Sequence, residues 1–131
     1  MNSKADEMAD RLRQFAIRVV RFARALPADG PAQAIAKQLA KSGTSEAANY
    51  NAARRGRSRD EFIAKLTIAA EEADETENWF KIIADANIAS TSNGQRELQW
   101  LADESRQLRA MLVASVKTAR ANRAKLKSSD R

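Results

Sequence analysis

The chain has 131 residues, 44% of them hydrophobic and 31% charged, with a formal net charge of +6; that is enough apolar material for one core of ordinary size. Four glycines, two prolines and no cysteine or histidine exclude a turn-dense β fold, a disulfide scaffold, structural zinc and any histidine or cysteine nucleophile. No apolar run approaches the roughly 20 residues of a membrane span, and the polar, acidic stretch 1–10 does not read as a secretory signal, so a cytoplasmic location is expected.

The first periodic stretch is Met8, Leu12, Phe15, Val19, Phe22 and Leu26, the seam of an amphipathic helix predicted over residues 5–26 and stopped by Pro27. Arg13, Arg21 and Arg24 lie on the opposite side. Ile17 and Val20 fall off the seam, either as surface exceptions or as a second contact face. A second helix is predicted over 31–54, with Pro31 in its first turn and mostly small apolar residues: Ile35, Ala36, Leu39, Ala40, Ala47, Ala48, Ala52 and Ala53. Ser42-Gly43-Thr44-Ser45 is poor helix material, the glycine alone costing about 1 kcal/mol. A break is conceivable there, but alanine and helical spacing resume at once, which favours a continuous or kinked helix.

Ser58 followed by Glu61 is a capping-box pattern, and the stripe Phe62, Leu66, Ala69, Ala73, Thr76, Phe80, Ile83 predicts a third helix over 59–89, widened by Ile68, Trp79 and Ile82. Ser90 to Gly94 is a loop with Ser92 or Asn93 as the expected cap. A fourth helix over 93–125 presents Leu98, Leu101, Ser105, Leu108, Leu112, Ser115 and Ala119, broadened by Trp100, Met111, Val113 and Val116, with a frayed tail over 127–131. Four long helices with short connections specify a single all-α domain, an antiparallel up-down-up-down four-helix bundle.

Charge is segregated along the chain. Residues 1–59 hold 12 Lys/Arg against 5 Asp/Glu, residues 60–104 hold 3 against 11, and residues 105–131 hold 8 against 1. One reading packs the acidic third helix between basic neighbours; the other turns the basic segments toward a polyanion. The acids Glu71, Glu72, Asp74, Glu75 and Glu77 do not suggest a di-metal site: such bundles use Glu-x-x-His pairs, the chain has no histidine, and no other helix offers an inward glutamate by this reading. Ser42 and Ser45 have no base nearby, and Arg54-Arg55-Gly56-Arg57 is no phosphate loop. The expectation is a protein without catalytic residues, metal or cofactor.

Arg54, Arg55, Arg57 and Arg59 crowd the connection between the second and third helices, where solubility and helix-dipole complementation are the plainer explanation. An antiparallel bundle, however, returns the fourth helix to that same end. Lys117, Arg120, Arg123, Lys125 and Lys127 would then share a pole with the four arginines. No aromatic residue is interleaved among them, so phosphate contacts rather than base stacking are what this surface could give.

The set Ser42-Gly43-Thr44-Ser45, Asn49-Tyr50, Ser58, Phe62, Lys65-Leu66, Glu72, Glu75-Thr76 and Trp79 resembles the four helix bundle protein family, also called the 23S ribosomal RNA intervening sequence proteins. The accessory variability protein of diversity-generating retroelements is a more distant relative. The specific match covers residues 42–80; it departs from the family at Ala52, often an acid, and at Gly56, often an alanine. The resemblance implies a homopentameric ring of bundles, with Ser45, Asn49, Tyr50, Glu72, Glu75 and Trp79 as structural and assembly positions rather than catalysts. It also implies, as partners, the chain itself, nucleic acid and a reverse transcriptase; the lack of a long apolar run adds the expectation of no membrane. Two functions follow as expectations: a homo-oligomeric accessory protein that holds nucleic-acid backbone at its basic pole, or a structural protein-interaction module with no nucleic-acid role.

Overall fold

The computed structural model describes residues 3–129 and contains four helices: α1 (Lys4–Arg24), α2 (Gly30–Arg54), α3 (Arg59–Asp85) and α4 (Ser92–Ser129). No strand occurs among the described residues. Each helix starts where a short polar side chain can satisfy an orphan backbone N–H. Ser3 Oγ accepts from the Asp6 amide at 3.1 Å while Asp6 accepts back from Ser3 at 3.2 Å. Asp29 accepts from Ala32 at 2.9 Å, which starts α2 at Gly30, one residue ahead of Pro31. Ser58 accepts from Glu61 at 3.0 Å, but Glu61 reaches the Arg57 amide, so only half of the expected box forms. Thr91, not Ser92 or Asn93, caps α4: its hydroxyl takes the Gly94 N–H at 2.9 Å.

α3 stops at Asp85, four residues short of the expected end. Asn87 takes a left-handed conformation (φ 54°), and the amides of Asn87 and Ile88 turn back onto the carbonyls of Ala84 and Ile83. That closure satisfies the last carbonyls of the helix, and asparagine tolerates it better than most residues. α4 in contrast continues through Ser129, beyond the expected Lys125; residues 130–131, part of the tail expected to fray, lie outside the described residues.

α2 crosses Ser42–Ser45 as continuous helix. Thr44 bonds the Ala40 and Lys41 carbonyls within the helix, and Gly43 lets α1 approach closely. A Cβ at position 43 would lie 2.9 Å from Val19 Cγ1. Val19 is fully buried and stiff about χ1, so it cannot move aside cheaply. Gly43→Ala is therefore expected to cost about 1–2 kcal/mol despite its better helix propensity. Adding Val19→Ala in the same chain should cost less than the sum of the two single changes; strictly additive thermal denaturation data would remove this account.

The core runs the length of the bundle. Phe15, Leu12 and Val19 of α1 meet Leu39 of α2, Leu66, Phe80 and Ile83 of α3, and Leu101, Leu108 and Leu112 of α4. Phe80 anchors it, edge-on to Phe15 with ring centroids 6.4 Å apart and tilted against Phe22 at 6.0 Å. Two stripe positions shift by one residue. Ile63 is buried where Phe62 is only half-buried, and Val116 is buried where Ser115 is exposed. Ile68, Trp100 and Met111, expected to widen apolar faces, are exposed instead, at 36%, 44% and 42%. Ile17 and Val20 are half-buried.

Successive helices pack along their lengths, whereas α1 and α4 close the bundle with the least contact. Arginine forks span that gap. Arg11 holds Glu104 through two nitrogens (2.8 and 2.7 Å), and Arg18 holds Glu97 in the same way (2.5 and 3.0 Å). Arg18 also lies 3.6 Å over the ring of Trp100, an indole that stays 44% exposed. Bidentate geometry makes these pairs more specific than ordinary surface ion pairs.

Candidate nucleic-acid interface

The two cationic segments do meet at one end of the bundle. Arg123 of α4 pairs with Asp60 in the first turn of α3 at 2.9 Å, and Arg120 reaches the Thr67 hydroxyl at 3.4 Å. Six further residues of α4, Ala124 to Ser129, continue past that pairing, a projection of about 9 Å. The α2–α3 connection is short because the backbone folds tightly at Gly56. A Cβ there would lie 3.0 Å from the Ala53 carbonyl and 3.1 Å from the Phe62 amide.

Three of the nine expected cations are engaged internally. Arg54 is paired with Asp6, Arg123 with Asp60, and Arg120 is bonded to Thr67. The acidic start of α1 reaches this pole because α1 begins there, and sequence spacing alone did not count Asp6 against the arginines. Arg54 holds the Asp6 carboxyl below its usual value, chiefly through their hydrogen bond. Arg55, Arg57, Arg59, Lys117, Lys125 and Lys127 are all exposed, and none takes part in an ion pair among the described residues. Elsewhere the acidic block is partly matched as expected, with Arg109 of α4 paired to Glu77 of α3.

The six positions expected to serve structure and assembly divide into inward and outward sets. Tyr50 is buried, which raises its phenol pKa. Asn49 donates to the Ser45 carbonyl at 2.9 Å, an intrahelical bond. Trp79 Nε1 donates to Glu75 at 3.3 Å on the same helix, and Glu72 is half-buried, its pKa raised by burial and then by Glu75.

One residue escaped the sequence reading. Glu46 of α2 is 0% exposed, so a second helix does carry an inward glutamate. It lies in a buried polar seam with Ser42 and Thr76, whose hydroxyls are 2.8 Å apart. Its charge hid it, yet the spacing revealed it: Ala36, Leu39, Gly43, Glu46, Tyr50 and Ala53 form an unbroken 3-4-3-4-3 stripe. No cluster of three or more metal-ligating side chains occurs among the described residues, and no helix there is long and apolar enough to cross a membrane.

Residues 5–114 match the 23S rRNA-intervening sequence protein family, and this chain belongs to that family. Lys117 and the cations after it lie beyond the matched region. A crystal structure of a protein with unknown function from the S23 ribosomal protein family of Bacteroides thetaiotaomicron is similar to it, with 30% identity and a TM-score of 0.75, covering 88% of this chain and 99% of that one. No curated protein matches the chain.

Proposed function

We propose that this protein is a non-enzymatic, homo-oligomeric bundle that holds the phosphate backbone of nucleic acid at its basic pole. The observation that carries this reading is the convergence of Arg55, Arg57 and Arg59 with Lys125 and Lys127 at one end of the fold, outside every ion pair among the described residues; Lys117, also outside them, lies further along α4 near Glu71 and Asp74. Phosphate contacts of this kind are strong at low salt, weak at high salt and indifferent to base sequence. In a ring, repeated poles would add avidity without base recognition.

Binding of generic duplex and single-stranded RNA and DNA, measured at 50 and 200 mM salt, tests the reading. Steeply salt-dependent affinity is expected, and no binding at the lower salt ends it. The family resemblance supports a ring of five. Sedimentation should then give five times the 14.5 kDa chain mass. The distant resemblance to retroelement accessory proteins adds a reverse transcriptase as a candidate partner, to be tested by co-purification. A second reading, a protein-interaction module with no nucleic-acid role, is favoured by the exposure of Trp100 and Met111 on α4. Protein partners that survive nuclease treatment would support it.

A further inference from the structure

The seam around Glu46 is short of hydrogen-bond donors. Thr76 Oγ1 lies 2.8 Å from both Ser42 Oγ and the Glu72 carbonyl, and Ser42 Oγ lies 3.3 Å from the Leu39 carbonyl. Each hydroxyl carries one hydrogen, and both are consumed among these acceptors. Neither oxygen of Glu46 has a hydrogen-bond partner. The hydroxyl near enough to favour a carboxylate is that of Thr76, and its one hydrogen is shared with Ser42 and the Glu72 carbonyl, whereas a carboxylic acid brings its own.

No cation compensates the site either. α3 contributes Glu72, a second acid, with Lys41 of α2 acting on Glu72. One turn along α2 lies Tyr50, itself buried. Everything that α1 and α4 bury is apolar apart from Ser105, whose hydroxyl is also unpartnered.

We propose that Glu46 is a proton-controlled element of the α2–α3 seam: the closed bundle is built around its neutral acid, and loss of that proton loosens the packing of α2 against α3. Burial pushes the carboxyl up to about 8, with Glu72 adding to the effect and Thr76 opposing it. In the unfolded chain the same group has its ordinary value of 4.5. Between those values the folded chain keeps a proton that the unfolded chain has released, so stability falls as pH rises through this window and levels off above it. The window is otherwise quiet, because a chain with no histidine and no cysteine has no side chain of ordinary pKa between about 5.5 and 7.5. Glu72 is the other carboxyl with a raised pKa among the described residues.

Thermal midpoints of the full chain, Glu46→Gln and Glu72→Gln, measured at pH values from about 5.5 to 8.5, test the proposal. The wild type should lose about 3–5 °C per pH unit up to pH 8. Glu46→Gln, which keeps the shape without the proton, should be flat, while Glu72→Gln should retain most of the slope. The carbon-13 carboxyl resonance of Glu46 in the wild type should titrate near pH 8, and it decides the matter alone if the glutamine variant does not fold. A carboxyl titrating at ordinary acidity, or a slope unchanged in Glu46→Gln, overturns the proposal.

Discussion

Replacing Arg55, Arg57, Arg59, Lys117, Lys125 and Lys127 together by alanine is expected to remove nearly all nucleic-acid binding at 100 mM salt, roughly the ionic strength at which phosphate contacts still hold. Six phosphate contacts correspond to a salt slope of about −5, or roughly a 10³-fold loss of affinity between 50 and 200 mM salt. Removing only the three arginines of the α2–α3 connection should lower that slope by about 3 and weaken binding equally across sequences. The control is geometric. Arg13, Arg21 and Arg24 are exposed on α1, away from the pole, so alanine at those positions should leave the slope unchanged. Equal losses from the two triple variants would mean that net charge, not the pole, attracts the ligand. Arg54 and Arg123 make poorer probes, because removing either leaves Asp6 or Asp60 without its partner.

Phe80→Ala is expected to be the most damaging single truncation, costing about 3–5 kcal/mol. The ring is 1% exposed and touches Phe15 and Phe22, both from α1, across the centre of the bundle. Its loss leaves a cavity that rigid helices cannot collapse into, and the thermal midpoint should fall by roughly 10–20 °C. Ile68→Ala on the same helix should stay within about 0.5 kcal/mol, because that side chain is exposed. Comparable losses at the two positions would mean that α3 is rotated from the face described above.

Helix number, order and antiparallel path were legible because apolar residues recur at 3-4 spacing and Pro27, Gly56 and Gly94 interrupt it. The stripe itself is ambiguous by one residue, since positions three and four away lie on the same face of a helix. Phe62 against Ile63 and Ser115 against Val116 were therefore settled only by which neighbouring helix each one faces. The end of α3 was misplaced because Ile88 and Ala89 look like a continuing pattern, while their packing follows from the left-handed turn at Asn87.

The cationic pole was equally legible as topology: four antiparallel helices must bring the arginine connection and the end of α4 together. How much of it stays unpaired was not, because Asp6 meets Arg54 only after α1 has docked on α2. Glu46 marks the limit most clearly. Composition alone, with neither histidine nor cysteine, determined that the chain should be nearly silent to pH around neutrality. The proposed role of Glu46 departs from that only through the packing of α2 against α3, because a carboxyl changes its proton affinity through the water it loses on burial, and the helix that helps to cover it lies about 30 positions further along the chain.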